Sequence, residues 1–571
     1  VGMSHLGSRI LYDILNNRAD AYCERAYMPW GDMREAMERE NVPLFSLETK
    51  TPLSEFGIVG FSLTQEMCYT SVLAMLALSN IELWSEKRDS GPFILAGGPC
   101  TSNLEPVAPF FDLAVLGDGE DVIGEIADAF IEWKQSGEER AAFLRRACRI
   151  PGVYAPGFYR PVYSVDGAFL GMEAEPFAPE KIRKRAIASL ENAPFPEKPL
   201  VPGLSIVHDR AVLELFRGCT RGCRFCQAGM IYRPVRERSA DTIVDTVARG
   251  LACTGFDEVS LVSLSSTDHS QIEPILKRLN HMLSGTGVGI SLPSQRLDAF
   301  GVDMALLVAG EKKTGLTFAP EAGTQRLRDI INKNVTEENL IDAVEQAYAA
   351  GWRRCKLYFM IGLPGETDED VIGIAKLANR AYNAAKDSVP DAQRGNVRMT
   401  ASVAVFVPKP HTPFQWSGQI NRNEVQRRID LLRSSGLHKG VDLSWHDPAT
   451  SRLEAALSRT GREGAPLIEA AWRAGALFDA WSERFDESLW EQAAAEVGLD
   501  IASMAERDYA LDDPLPWDHI GSGITKRFLA KEYAMSQTGE STGDCSFDKC
   551  LACGVCTDLD VGIALSGESR A

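Results

Sequence analysis

The chain lacks any run of about twenty consecutive apolar residues, the length a helix needs to cross a bilayer. Membrane-spanning roles are therefore set aside. Its opening does not read as a secretory signal either. Positive charge is in short supply, with 60 Lys and Arg against 79 Asp and Glu, a net charge of −19. A protein that grips nucleic-acid backbones nonspecifically is usually basic. Charge thus gives no argument for an RNA substrate, although it does not exclude one. The basic runs at 145–149 and 181–185 read as solvated faces. Pairable cysteines are missing too. Cys23, Cys68, Cys100, Cys148, Cys253 and Cys355 stand singly, too scattered for a disulfide ladder. That usage points to a reducing cytoplasm in which clustered cysteines serve metals.

What is present is the composition of a globular protein, 45% hydrophobic and 24% charged. At 571 residues it has room for roughly three or four domains. The opening VGMSHLG reads as the middle of a unit, and the expectation is a native chain that starts earlier. Residues 1–135 alternate strand-like and helix-like stretches: FGIVGFSL, PFILAGG and FDLAVLG as strands, with helical segments around them. Such alternation predicts a doubly wound α/β sheet, with ligands beyond the carboxyl ends of its strands. Those ends carry SLT (62–64), GGPCTSN (97–103) and GDGE (117–120). Residues 136–204, rich in proline and aromatics, read as a linker with short strands. Residues 205–440 repeat strand and helix six times, the pattern of an α/β barrel whose chemistry sits at the strand carboxyl ends. Residues 441–535 read as mostly helical, with Trp472 and Trp481 as packing anchors, and 536–571 as a polar, cysteine-rich tail.

Within FRGCTRGCRFCQAG, Cys219, Cys223 and Cys226 stand in C-x3-C-x2-C spacing after the first barrel strand. Three thiolates can hold three irons of a [4Fe–4S] cluster and leave the fourth open for chemistry. A zinc knuckle needs a fourth Cys or His nearby, and the next forty or so residues offer only Cys253. Reduced core cysteines are the remaining alternative. Arg217, Arg221 and Arg224 flank the thiols, and positive charge there is expected to lower thiol pKa and favour ligation.

The spacing, with Phe225 before the last cysteine, resembles that of the radical S-adenosylmethionine (SAM) enzymes. The resemblance implies a partial (β/α) barrel whose open iron chelates SAM. One electron then cleaves a C–S bond and releases a 5′-deoxyadenosyl radical, with a reductant such as flavodoxin or ferredoxin as partner. It places cofactor contacts at Phe225, at Ser263, Ser265 and Ser266, at Ser294 with Arg296 beyond, at Glu321 and at Gly362 in the FMIGLPGE turn. Lys333 falls where the methylthiotransferase-like branch has an arginine. Each strand-end residue taken singly reads equally well as a cap or turn former.

The first region resembles the cobalamin-binding domain that precedes many radical SAM domains, through Ser62, Thr64, Gly97, Gly98 and the GDGE turn. The element that supplies a histidine ligand to cobalt is missing. His5 lacks its aspartate and its glycine spacing, and reads as a cap. Cobalamin held without histidine and a domain that recognises something else both stay open. FVPKPHTPFQW (406–416), with Lys409, His411 and Trp416, reads as substrate contact or rigid lid.

Cys545, Cys550, Cys553 and Cys556 form a second set, C-x4-C-x2-C-x2-C. Four ligands suit tetrahedral zinc or an auxiliary iron–sulfur cluster. An unmetallated tail is the third reading. The expected function is a radical SAM enzyme, with cobalamin-dependent methyl transfer to an unactivated carbon leading. Sulfur insertion or another radical modification of RNA or protein comes second, and a non-catalytic electron carrier or sensor third. The substrate class, whether small molecule, RNA or protein, is not read.

Overall fold

The computed structural model describes residues 2–204, 206–293, 297 and 316–567. Strands β1 (Ile58–Ser62), β2 (Phe93–Gly97) and β3 (Leu113–Val115) run parallel in that spatial order. Strand β4 (Val153–Tyr154) closes the edge antiparallel to β3. Phe93 and Leu95 enter one core with Val122, Ile126 and Phe143. Ile94 and Ala96 enter another with Leu73, Leu76 and Ile468. A strand buried on both faces must be apolar throughout, which is why FILAG has no polar position. Helix Tyr69–Leu78 covers one face, and helices Glu120–Ser136 and Arg140–Ala147 cover the other. The sheet is doubly wound, as expected. Helix Tyr69–Leu78 is apolar nearly all round because helix Gly464–Ala474 packs on it from the C-terminal region.

The second unit is parallel as well. Strands β5 (Ala211–Glu214), β6 (Glu258–Val262) and β7 (Gly289–Ser291) form one sheet with β6 central. Strands β8 (Leu316–Glu321), β9 (Arg354–Ile361), β10 (Arg398–Val405) and β11 (Val441–Trp445) form a second in sequence order. Intervening helices include Ala240–Thr254, Glu337–Ala349 and Arg422–Ser434. The side chains of Ser239, Thr336 and Asn421 cap them by accepting N–H bonds of the first turn. This is the expected partial (β/α) barrel. It extends one strand past the six read from sequence. In β11 only Val441 is buried, while Asp442, Ser444 and Trp445 are exposed, so its pattern is that of a weak edge strand. Ser294 and Arg296 lie outside the described residues. Among the described residues, no helix is long and apolar enough to cross a membrane.

Candidate active site

The first cysteine loop turns on two glycines. Gly218 has φ +96°, and a Cβ there would stand 2.2 Å from the Pro234 carbonyl oxygen. Gly222 has φ +76° and lies against Asn332, whose Nδ2 donates to the Gly222 carbonyl at 3.1 Å. The loop closes where the Cys226 amide donates to the Cys223 carbonyl at 3.1 Å and the Gly229 amide donates to the Cys226 sulfur at 3.3 Å. Burial pushes the Cys219 thiol up to about 11 and the Cys226 thiol up to about 12, with the neighbouring Cys223 adding to both.

The flanking arginines do something other than activate these thiols, which corrects the sequence expectation. Arg217 pairs with Asp118 at 2.8 Å, Glu120 at 2.8 Å and Glu214 at 2.9 Å. Arg221 pairs with Asp268, its Nε donating at 3.0 Å, and with Asp544 at 3.3 Å. Arg224 is fully buried and pairs with Glu532 at 3.1 Å. Each charge is met by carboxylates, so burial dominates the thiols. The arginines instead dock the loop onto the first sheet, the second barrel strand's turn and the C-terminal segments.

The structure brings several of the sequence-read positions to one end of the barrel. Lys333 Nζ pairs with Glu321 Oε1 at 2.9 Å, and its charge also reaches Cys226. Glu321 has φ +66°, a left-handed conformation that costs a non-glycine residue about 1–3 kcal/mol and clusters at functional sites. Phe225 packs with Met360 and Leu363 beside the end of β9, seating the cysteine loop on the barrel. Gly362 has φ +85°, and its amide donates to Glu366 at 2.7 Å. Burial pushes the Glu366 carboxyl up to about 7 against the opposing pull of Arg428. Ser263 and Ser266 share a hydroxyl contact of 2.8 Å, and Ser265 donates to Asp268. These serines build the turn that presents Asp268 to Arg221. Asp268 and Asn332, both bracing the cysteine loop, were not singled out from sequence. A lone Asp or Asn in a turn carries no signal of a partner far along the chain.

The strand ends of the first sheet face this loop. Ser62, Thr64 and Gly98 are exposed there. Gly98 has φ +101°, and a Cβ would stand 2.6 Å from the Leu63 carbonyl oxygen, whereas a Cβ on Gly97 would meet nothing within 4 Å. Gln227 of the cysteine loop donates to Ser102 Oγ at 3.1 Å. His411 Nε2 donates to the Ser102 carbonyl at 2.8 Å, and burial pulls that imidazole down to about 4, keeping it neutral near pH 7. A cleft opens beside them, lined by Gly98, Gly117, Lys184, Tyr232 and His411 among others. Lys409 is held by Glu66 at 2.8 Å and Glu454 at 2.7 Å, and Trp416 is buried. The 406–416 segment is therefore a joint between the two units. His5 caps helix Leu6–Asn16, its Nδ1 accepting from the Ser8 amide at 3.2 Å.

The cysteine-rich tail packs against the first loop. Thr220 and Ser546 hydroxyls meet at 2.6 Å, the Thr542 amide donates to Asn332 Oδ1 at 2.7 Å, and the Ala564 amide donates to the Val235 carbonyl at 2.9 Å. Cys553 is buried, Cys545 half-buried, and Cys550 and Cys556 exposed. Among the described residues, no three His, Cys, Asp or Glu side chains are arranged to hold a single metal ion.

Comparison with known proteins defines the class. Residues 7–156 match the family described as radical SAM proteins, N-terminal, and residues 213–378 match the radical SAM superfamily. The chain is a radical SAM enzyme, with the N-terminal region of such proteins followed by the radical SAM domain. Among its relatives is an uncharacterized protein of Methanocaldococcus jannaschii, 28% identical over 66% of this chain and 72% of that one. Another is the ribosomal protein uS12 methylthiotransferase RimO of Desulfotalea psychrophila, 24% identical over 39% of this chain. The match spans about half of that enzyme, 49% of its length. Among solved structures, the radical SAM methyltransferase TsrM of Kitasatospora setae, with cobalamin and a [4Fe–4S] cluster bound, shares the fold at a TM-score of 0.50 and 13% identity. That likeness covers 86% of this chain and 96% of TsrM.

Proposed function

We propose that this protein is a cobalamin-dependent radical SAM methyltransferase acting on an unactivated carbon, in a reducing cytoplasm. The observation that carries the reading is the docking of the glycine-rich ends of the first sheet beside the cysteine loop, through Gln227, His411 and Ser102. Cys219, Cys223 and Cys226 would hold the [4Fe–4S] cluster. They fit it by donor type and by sitting on one turn, at the cost of displacing thiol protons. When bound, that cluster supplies the electron that splits SAM. Ser62, Thr64, Gly97 and Gly98 would hold cobalamin, and they fit because they are small, or open at Gly97. When bound, cobalamin supplies a methyl carrier. His5 is engaged as a helix cap, so the reading uses no histidine from the amino terminus.

The chain's own residues position and protect. Lys333 offers a cation to the SAM carboxylate, and Glu321 an acceptor to its amine. Gly362 lets backbone approach the adenine closely. Ser263, Ser265 and Ser266 shape the turn on the other side of the loop. The first sheet and the tail keep water from the site.

Anaerobic reconstitution with iron and sulfide, then reduction with SAM, tests the reading. Formation of 5′-deoxyadenosine and S-adenosylhomocysteine is expected, with cobalamin retained through gel filtration. Loss of deoxyadenosine in Cys223→Ala, but not of cobalamin, ties each activity to its site. A well-loaded protein that never cleaves SAM overturns the proposal. Cleavage without cobalamin retention supports the second reading, radical sulfur insertion. The resemblance of the Glu321–Lys333 segment to methylthiotransferases and the RimO match favour that alternative. Either reading needs a low-potential reductant of the flavodoxin or ferredoxin kind.

A further inference from the structure

A lysine occupies a position that strand geometry reserves for a core residue. The linker forms a short strand, Ile182–Arg183, parallel to Ile520–Gly521 of the C-terminal region. It then joins the end of β3. The Arg185 amide donates to the Leu116 carbonyl at 2.8 Å, and the Asp118 amide donates to the Arg185 carbonyl at 3.0 Å. Gly117 permits that approach, with φ +90° and a Cβ position 2.0 Å from the Arg185 carbonyl oxygen. Extended chain sends successive side chains to opposite sides. Ile182 and Lys184 therefore share the inner side, 1% and 7% exposed, while Arg183 is exposed. An apolar residue at 184 would serve packing. A buried ammonium costs free energy unless something answers its charge.

Lys184 Nζ donates to the carbonyls of Ile231 at 2.6 Å and Arg233 at 2.8 Å, which leaves one of its three N–H groups over. Among the described residues no carboxylate pairs with it. Asp118, in the same cleft, already answers Arg217 at 2.8 Å and Arg236 at 2.5 Å, and Arg185 is held by Glu125 at 2.8 Å. Burial pulls the Lys184 ammonium down to about 7, against the charge of Asp118 and with Arg236 adding to the fall. Other groups of the cleft also have bonding capacity to spare. Among the described residues the Tyr232 hydroxyl has no partner, and the Ser522 hydroxyl accepts from the Ile524 amide at 3.4 Å but donates to nothing. His411 Nε2 must carry the ring proton, because the Ser102 carbonyl it meets only accepts, so Nδ1 is a bare acceptor. The three donors come from the linker, the turn after the cysteine loop and the C-terminal region. Donors from three directions suit a tetrahedral oxyanion, whereas a flat carboxylate suits the fork of one arginine.

We propose that this cleft seats a phosphate ester that carries a neighbouring hydroxyl, a sugar phosphate in chemical class. Lys184, Tyr232 and Ser522 donate to the phosphate oxygens, and His411 Nδ1 accepts from the hydroxyl. One wall of the cleft is Ile231 and Tyr232, at the end of the helix Ala228–Ile231 that starts two residues past Cys226. A phosphate anchored there holds the rest of its ligand beside the cysteine loop. The same group occurs in a phosphorylated substrate and in the nucleotide of a corrinoid. These four residues bind and orient, and the inference holds whichever radical reaction the enzyme runs.

The test is calorimetric titration of the full reconstituted chain, without SAM or reductant, with inorganic phosphate, glycerol 3-phosphate and glycerol. Glycerol 3-phosphate should saturate a single site and bind more tightly than phosphate, and glycerol should not bind. Lys184→Met should weaken glycerol 3-phosphate about tenfold or more, and Tyr232→Phe about fivefold. Tyr232→Phe keeps the ring and its packing, so it decides the matter even where thermal melts show that Lys184→Met has loosened the linker. Wild type that shows no saturable phosphate binding overturns the proposal, and so does Tyr232→Phe with wild-type affinity. Two corrinoids then identify the source of the phosphate. Cobalamin that displaces glycerol 3-phosphate, while cobinamide without its nucleotide does not, assigns the site to the corrinoid tail. Glycerol 3-phosphate that binds alongside cobalamin assigns it to the substrate. No SAM is cleaved in these titrations, so failure of the methyl-transfer reading is a separate result.

Discussion

Replacing Arg224 by Met should loosen the first cysteine loop far more than the loss of one side chain suggests. The guanidinium is fully buried and reaches Glu532 at 3.1 Å, the Ile330 carbonyl at 2.9 Å, the Asp329 carbonyl at 3.3 Å and the Glu540 carbonyl at 2.7 Å. It ties the loop to the carboxyl end of helix Gln325–Ile330 and to helix Lys526–Thr538. Met fills much of the volume but strands a buried carboxylate, which typically costs about 3–5 kcal/mol. Removing the stranded charge as well, in Arg224→Met/Glu532→Leu, should leave a deficit of about 1–3 kcal/mol from unpaired carbonyls. Amide hydrogen exchange, read by mass spectrometry on peptides covering 219–227 and 526–540, measures the local opening. Since 1.4 kcal/mol is a factor of ten, the single variant should exchange about two to three powers of ten faster and the double variant markedly less so. A single variant that exchanges like wild type would refute the staple. Identical single and double variants would show that the Glu532 charge is not what the arginine answers.

Three further outcomes follow from geometry. Gly97→Ala should fold like wild type but retain less cobalamin, whereas Gly98→Ala should destabilise the first sheet by at least about 1–2 kcal/mol, since its φ is left-handed and Leu63 blocks the Cβ; thermal melts and corrinoid absorbance separate the two. Lys333→Ala should weaken SAM binding about tenfold or more by calorimetry while iron loading is unchanged, and lost loading would assign Lys333 to the loop's stability instead. Burial pushes the Glu105 carboxyl up, but Arg462 and His519 outweigh it and hold it down at about 2. Its folded value lies below the usual carboxylate range, so its contribution is present above about pH 4.3 and is lost as pH falls toward 2. The joint between the first sheet and the C-terminal helices should loosen across that window, and exchange in the 153–159 segment should lose this dependence in Glu105→Gln.

What could be read from sequence was local and periodic. The strand–helix alternation made the parallel sheets legible, because β2 is an apolar run that ends in a double glycine and β9 alternates buried with more exposed positions before its own glycine turn. The two cysteine sets were legible from spacing alone. Strand β11 was not, since Asp442 and Ser444 dilute its pattern. The arginines were read for the wrong purpose. Charge beside a thiol looks like activation, and nothing in the local run FRGCTRGCRFC announces Glu120, Asp268, Asp544 or Glu532, from about 50 to more than 300 residues away.

The pairing of those arginines explains why the cysteine loop depends on the whole chain. Arg217 takes partners from the first unit and from the first barrel strand, Arg221 from the barrel and the tail, and Arg224 from the C-terminal helix. Three loop positions interleaved with three thiols thus bind the first unit, the barrel, the tail and the helix Lys526–Thr538. A loop of glycines and cysteines has little core of its own, and its order must come from outside. Binding it through buried ion pairs means that removing one part takes a carboxylate from a buried arginine, and for Arg224 takes the single carboxylate it pairs with among the described residues. Loss of the first unit would take Asp118 and Glu120 from Arg217 and leave it Glu214, and loss of the tail would take Asp544 from Arg221 and leave it Asp268. Truncation at either end should therefore lower iron loading at Cys219, Cys223 and Cys226 even though no ligand of that set is removed. Iron content of a chain ending at residue 539, against the Cys550→Ala/Cys556→Ala full chain, separates the two effects. Equal retention of the first cluster in both would show that the loop orders itself without the tail.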